Sequence, residues 1–237
     1  MRRPLSVLLL LVALTAAGCG GKDKQAPGKG GSVATTSASA STGTTAAPAG
    51  AARDAAGCTK VAAPAPKGPQ HLSKPTQSLP AGKTFSVTLE TNCGPIVIRL
   101  DTGRAPKTSA SFASLVKKGF YDGLTFHRIV QGFVVQGGDP LGNGQGGPGY
   151  TVVEKPPASL KYGRGVVAMA KSSVDPDGAS GSQFFIVVAA TPLPPQYALL
   201  GKVTSGMGAV DNMVAEPVNA QSAPLNPVVI EKATLGG

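Results

Sequence analysis

Two short runs hold the side chains best placed to do chemistry. Phe126-His127-Arg128-Ile129-Val130-Gln131-Gly132-Phe133-Val134-Val135-Gln136-Gly137-Gly138-Asp139 sets an arginine and two glutamines among large apolar residues. Gly181-Ser182-Gln183-Phe184-Phe185-Ile186 repeats the pattern further along the chain. Alternate residues of a strand share a face, so the spacing predicts Phe126, Arg128 and Val130 on one side and His127 and Ile129 on the other. By the same rule Gln183 shares a face with Phe185. Arg, Gln and Phe together, with no nucleophile beside a base, suit a surface that holds a peptide rather than one that cuts it.

These residues also carry a resemblance. The run from Phe126 to Asp139, then Ala168-Met169-Ala170, Gly181 to Ile186 and Leu200-Gly201-Lys202-Val203, is similar to the cyclophilin-type peptidyl-prolyl cis-trans isomerases, in order, within about residues 84–235. The resemblance implies an enzyme that interconverts cis and trans X–Pro bonds without cofactor or metal. It implies a catalytic set of Arg128, Gln136 and Phe133, with Arg128 the main catalytic residue. Gln136 and Gln183 are expected to orient Arg128 and to bind peptide backbone. Phe133, Val134, Met169, Phe185 and Leu193 correspond to the proline pocket, with Phe185 facing it and Phe184 facing inside. Ala170 corresponds to a backbone contact. Lys171 stands where the family commonly has asparagine, Pro192 where it often has tryptophan, and Tyr197 where it often has histidine. Those three departures put tight cyclosporin binding in doubt and leave isomerisation intact. His127, next to Arg128, reads as a hydrogen-bonded interior histidine.

The chemistry asked of such a site is limited. Rotation about an X–Pro bond must break amide resonance, at a barrier of about 20 kcal/mol. Twisting localises a lone pair on the prolyl nitrogen, so a donor held there favours the twisted form over either planar one. Each ~1.4 kcal/mol of that preference is a tenfold rate gain. Guanidinium, charged and planar with several donors, suits the task.

The elements that must position these groups begin at Thr84. Phe85, Val87 and Leu89 alternate over Thr84–Glu90, Thr91-Asn92-Cys93-Gly94 is a turn, and Pro95–Leu100 is a second strand. Pro106 marks a helix start; Phe112, Leu115 and Val116 follow at helical spacing to Lys118, and Gly119 ends it. Further strands are expected at 126–130, 133–136, 166–169, 184–188, 198–203 and 228–233, with a short helix at 209–214. Many short strands and two helices predict a mainly β fold, a closed antiparallel eight-stranded barrel capped by the helices, spanning residues 80–237.

Upstream, residues 1–18 have the zones of a secretory signal: Met1-Arg2-Arg3-Pro4, the apolar run Leu5–Leu14, then small residues up to Cys19. That run is short for a membrane span. Cys19 resembles a lipobox cysteine, which receives lipid and becomes the new N-terminus, although Ala16 stands where leucine is usual; ordinary secretion with cleavage nearby is the alternative. Residues 19–79, rich in Gly, Ala, Ser, Thr and Pro, read as a flexible tether. The tether holds seven basic and two acidic side chains, half of the net +10. That excess suits either attraction to an anionic membrane or wall polymer, or a merely basic linker. In an oxidising compartment Cys58 and Cys93 are better read as a disulfide than as two free thiols. Their spacing fits no zinc pattern, and His71 and His127 are the only histidines. The expected protein is an exported, lipid-anchored monomer acting on proline-containing polypeptides.

Other classes fare worse. A binding module with little turnover remains the main rival, although it needs none of the catalytic set that is present. Gly137-Gly138-Asp139 and the glycines at 142–147 lack the Gly-Lys-Ser/Thr of a phosphate loop. Gly178-Ala179-Ser180-Gly181-Ser182 does not make Gly-x-Ser-x-Gly, and no histidine is left to act as a base. The folded part has no Lys/Arg stripe interleaved with aromatics, which argues against nucleic acid.

Overall fold

The computed structural model describes residues 53–80 and 82–237. Cys19, the signal-like segment and most of the expected tether lie outside them.

Among the described residues eleven strands and two helices follow one another: β1 Ser86–Thr91, β2 Ile96–Leu100, α1 Pro106–Lys117, β3 Leu124–Thr125, β4 Arg128–Val130, β5 Val134–Gly137, β6 Val152–Val153, β7 Val166–Met169, β8 Ala179–Ser180, β9 Phe184–Val187, β10 Leu199–Ser205, α2 Met207–Ala215 and β11 Val229–Gly236. Nine of the strands form one antiparallel sheet in the order β3-β11-β1-β2-β10-β7-β9-β5-β4, and β6 pairs with β8. The sheet curls but does not close: β3 and β4, its two ends, share no ladder. The expected closed eight-stranded barrel is thus corrected to an open, curled sheet. The reason is local. The strand expected over 126–130 breaks at Phe126-His127, so the chain passes directly from one sheet edge to the other instead of pairing across the gap.

The same break overturns a side-chain expectation. Phe126 and Ile129 are both fully buried in the main core, while Arg128 and Val130 stay half-exposed. Phe126 and Arg128 therefore do not share a face, because strand alternation does not run through residues 126–127.

Inside the curl Phe184 is the hub, edge-on to Phe112, Tyr121 and Phe126 at 5.5, 5.8 and 5.7 Å between centroids. Burying such a ring contributes roughly 2–3 kcal/mol. Phe112 reaches it from α1, whose apolar face also buries Leu115 and Val116. α1 starts at Pro106 after Ala105, which offers no capping side chain. Glu154, distant in sequence, takes that role: its two oxygens accept from the Lys107 and Thr108 amides at 3.1 and 2.8 Å.

Residues 53–80 run along the fold instead of standing off it. Thr59 and Asn92 exchange two hydrogen bonds (2.7 and 2.8 Å) beside the Cys58–Cys93 disulfide, and the Lys67 and Leu72 amides donate to the carbonyls of Pro140 and Pro148. Leu72 and Leu79 pack on the main core.

Candidate active site

Strand register builds the site as one row of outward side chains. Arg128 on β4 lies opposite Gln136 on β5, Gln136 opposite Phe185 on β9, Phe185 opposite Ala168 on β7, and Ala168 opposite Leu199 on β10. The neighbouring inward row places Gly137 and Met169 on either side of Phe184. Phe185 and Phe184 thus face outward and inward respectively.

Three polar side chains of the site form a directed relay. Arg128 Nη1 donates to Gln136 Oε1 at 3.3 Å, Gln136 Nε2 donates to Gln183 Oε1 at 3.0 Å, and Gln183 Nε2 donates to the carbonyls of Gly144 and Gly146 at 3.0 and 2.8 Å. Each amide is oriented by the next, which fixes the plane of the guanidinium. Arg128 has no carboxylate within ion-pair distance among the described residues, so its other donors remain available to a ligand.

Beside the relay lies an apolar cluster on the outer face: Val134, Phe185, Ala168, Tyr162 and Leu199, with Phe133, Leu193, Ala170 and Tyr197 packed against it. Phe133, Leu193 and Tyr197 are half-exposed and form its accessible surface. Tyr197 stands edge-on to Phe185 at 5.4 Å, and the Lys171 ammonium sits 6.0 Å from the Tyr197 ring centroid. Lys171 also donates to the carbonyls of Ser172 and Asp175. Pro192 is exposed. On the relay's other side Gln136, Gln183, Ala170, Lys171 and the loop from Gly144 to Thr151 border a cavity of about 470 Å³.

Two expectations need correction. Met169, placed with the proline pocket from the sequence, is 1% exposed and lies in the main core beside Phe184. Its register pairs it with the inward row, and Ala168 takes the outward position. His127 is half-buried with both ring nitrogens turned inside, but neither nitrogen has a hydrogen-bond partner among the described residues. Burial lowers its pKa below 6.5, Asp139 opposing and Arg128 assisting, which keeps the ring neutral near pH 7.

Other contributors escaped the sequence reading. Asp139, 1% exposed, gathers the amides of Leu141, Asn143 and Gly144 at 2.8, 2.9 and 2.5 Å and so shapes the loop whose carbonyls end the relay. Tyr162 fixes Tyr197 from below. Its hydroxyl donates to the Tyr197 carbonyl at 2.8 Å and accepts from the Tyr197 amide at 3.1 Å. Burial pushes the Tyr162 hydroxyl up to about 12, so it stays a donor at any working pH. Asp139 was visible as the end of the Phe126–Asp139 run and in a weak phosphate-loop candidate, with no role assigned to it, and nothing marked Tyr162.

The family model described as cyclophilin type peptidyl-prolyl cis-trans isomerase/CLD matches residues 86–235. Peptidyl-prolyl cis-trans isomerase-like 1 of Homo sapiens is 40% identical over 157 residues, 64% of this chain and 93% of that protein. A peptidyl-prolyl cis-trans isomerase of Dictyostelium discoideum is 41% identical over 154 residues, 63% of this chain and 96% of its own length. The crystal structure of a cyclophilin type peptidyl-prolyl cis-trans isomerase of Cryptosporidium parvum, in the presence of the dipeptide Ala-Pro, superposes with a TM-score of 0.60. It is 31% identical, and the match covers 64% of this chain and 99% of that one. With this fold and these matches, the chain belongs to the cyclophilin-type peptidyl-prolyl cis-trans isomerases. It is an enzyme of X–Pro bonds.

Proposed function

We propose that Arg128 is the catalytic residue for rotation about X–Pro bonds, and that the relay beneath it is what makes it effective. The directed chain from Arg128 through Gln136 and Gln183 to the Gly144 and Gly146 carbonyls carries this reading. The proline ring rests on Phe133, Phe185 and Leu193, with Tyr197 closing the side. Arg128 presents its free donors to the prolyl nitrogen as the amide twists, while Gln136 and Gln183 offer the flanking backbone a polar edge. The cavity of about 470 Å³ takes residues next to the proline. No proton changes hands and no covalent bond forms; the rate gain is preferential binding of the twisted amide. Loss of one charge-assisted hydrogen bond, about 1.5–3 kcal/mol, corresponds to roughly 10–150-fold in rate. The test is isomerisation of a short Ala-Pro peptide, followed by magnetisation exchange, with Arg128→Ala beside the natural sequence. A drop of at least tenfold with unchanged melting supports the assignment; equal rates remove Arg128 from the mechanism and favour a binding module.

The physiological setting belongs to the same proposal. The signal-like residues 1–18 and the lipobox-like Cys19 support export and lipid anchoring, with residues 19–52 as the tether, and clients among exported proline-containing chains. The protein acts as a monomer. Intact mass of membrane-extracted protein tests the anchor: acyl mass on Cys19 is expected, and a soluble product beginning elsewhere ends that reading.

A further inference from the structure

The loop that ends the relay is ill-equipped to hold its own shape. Between Asp139 and Tyr150 it contains Gly142, Gly144, Gly146, Gly147 and Gly149, whose backbones are free to sample many conformations. Asp139 ties its first half together from inside, and Gln183 reaches the carbonyls of Gly144 and Gly146, but among the described residues no side chain holds residues 147–149 in this way. The upstream segment takes hold of it from outside. The Lys67 amide donates to Pro140 at 2.9 Å, next to Asp139, and the Leu72 amide donates to Pro148 at 2.8 Å. The segment's backbone lies so close to Gly149 that a Cβ there would stand 2.6 Å from the Gln70 carbonyl oxygen and 2.8 Å from His71 Cα. Gly149 also has φ +92°, which suits no other residue well. The two grips, at 140 and 148, bracket Gly144 and Gly146, whose carbonyls orient Gln183.

The segment is itself fastened at two places away from the loop. The Cys58–Cys93 disulfide and the paired Thr59–Asn92 hydrogen bonds hold its start. In its middle, the Lys67 ammonium donates to the carbonyls of Gly119 and Phe120, just past the end of α1, at 3.1 and 2.9 Å. These two bonds pin the middle of the segment to the turn that follows α1.

We propose that residues 58–72 are a positioning strap for the substrate-binding loop, and that the Cys58–Cys93 disulfide makes substrate affinity depend on redox state. The proposal rests on the relay reading of the site. With the strap fastened, Gly144 and Gly146 stay where Gln183 needs them. With the disulfide reduced, the strap's start is released, the loop samples more states, and substrate meets a less organised polar edge. Gln183 remains an acceptor for Gln136, and Gln136 for Arg128, so the sheet-borne part of the relay persists and the cost falls mainly on KM and little on kcat.

The experiment uses the full chain in detergent, oxidised and after reduction, with Lys67→Ala and Lys67→Arg as variants that leave the disulfide and the core untouched. Two quantities are read: backbone amide exchange across residues 139–150, and KM and kcat on a proline peptide. Reduction is expected to speed exchange at Gly144–Gly149 about tenfold and to raise KM about three- to tenfold, with kcat within twofold. Lys67→Ala should show the same pattern more weakly, and Lys67→Arg should restore it. Unchanged exchange on reduction overturns the strap. Faster exchange with unchanged KM reduces it to a stabilising segment and overturns the positioning role. Gln183→Leu in the same assay isolates the relay: unchanged kcat/KM there sinks the relay reading, and the strap's hold on the loop is then decided by exchange alone.

Discussion

Gln183→Glu changes one atom and reverses the relay at its end. The carboxylate still accepts from Gln136 Nε2, now more strongly, but it cannot donate to the carbonyls of Gly144 and Gly146, where the amide made bonds of 3.0 and 2.8 Å. Two net contributions of about 1 kcal/mol are lost, and two acceptor–acceptor contacts take their place. Gln183 is only half-buried, so the carboxylate turns toward water and the global cost stays near ~2 kcal/mol. For a domain of this size that lowers Tm by about 4–8 °C. In catalysis the loss is felt twice. Gln136 follows the displaced carboxylate and carries Arg128 off its plane, and the loop loses its inner anchor. A fall in kcat/KM of roughly 10–30-fold is expected, corresponding to ~2 kcal/mol or somewhat less reaching the bound amide. The assay is isomerisation of an Ala-Pro peptide at several concentrations, with a melting curve on the same samples. A variant that melts lower yet keeps kcat/KM within twofold would refute the idea that the relay orients the arginine.

Elsewhere in the fold, Glu154→Ala removes the acceptor for the Lys107 and Thr108 amides, and a loss of about 1–2 kcal/mol with unchanged kcat/KM is expected from urea titration. Glu216 is fully buried and meets Asp54; burial and Asp54 raise its pKa above 4.5, against the Asn226 hydrogen bond and the Lys60 charge. Between pH 4.5 and that raised value the folded Glu216 holds a proton that the unfolded chain releases, so the Glu216 contribution is complete below about pH 4.5 and is lost as pH rises through the raised value, while the lowered pKa of Asp54 acts in the opposite sense only at more acid pH. Glu216→Gln, which keeps a donor for Asp54, should gain in Tm over the natural sequence as pH goes from 4.5 to 8; a pH-independent difference would count against the shared proton.

Much of the fold was legible because strand alternation and helix spacing are local. Val166–Met169 was read with its observed ends, and α1 was read to within a residue or so, because Pro106 and Gly119 punctuate it. The closed barrel was not, since closure depends on whether two distant strands pair, and here the chain steps across the gap at Phe126-His127. β6 and β8, two residues each, are too short to leave a periodic trace. Met169 shows the limit of carrying a pocket residue over by motif. One residue of register separates the outward Ala168 from the inward Met169, and only the ladder with β9 decides which is which.

What stayed hidden in the site is what backbone atoms do. Arg128, Gln136 and Gln183 could be singled out because such polar side chains are unusual among apolar strand residues, and Phe185 because the resemblance supplied its register. The partners that orient them are carbonyls of Gly144 and Gly146, and glycine leaves no chemical mark of an acceptor in a sequence. The strap is hidden for the same reason: it grips through the amides of Lys67 and Leu72, in a stretch whose composition argues for a free linker. Composition measures how much apolar surface a segment can bury by itself. It says nothing of a segment fastened at Cys58 and laid against a surface already folded. On the proposed mechanism the rate turns on one oriented guanidinium and is sensitive to small losses of order, so such backbone contacts matter to it as much as the side chain that gives the site away.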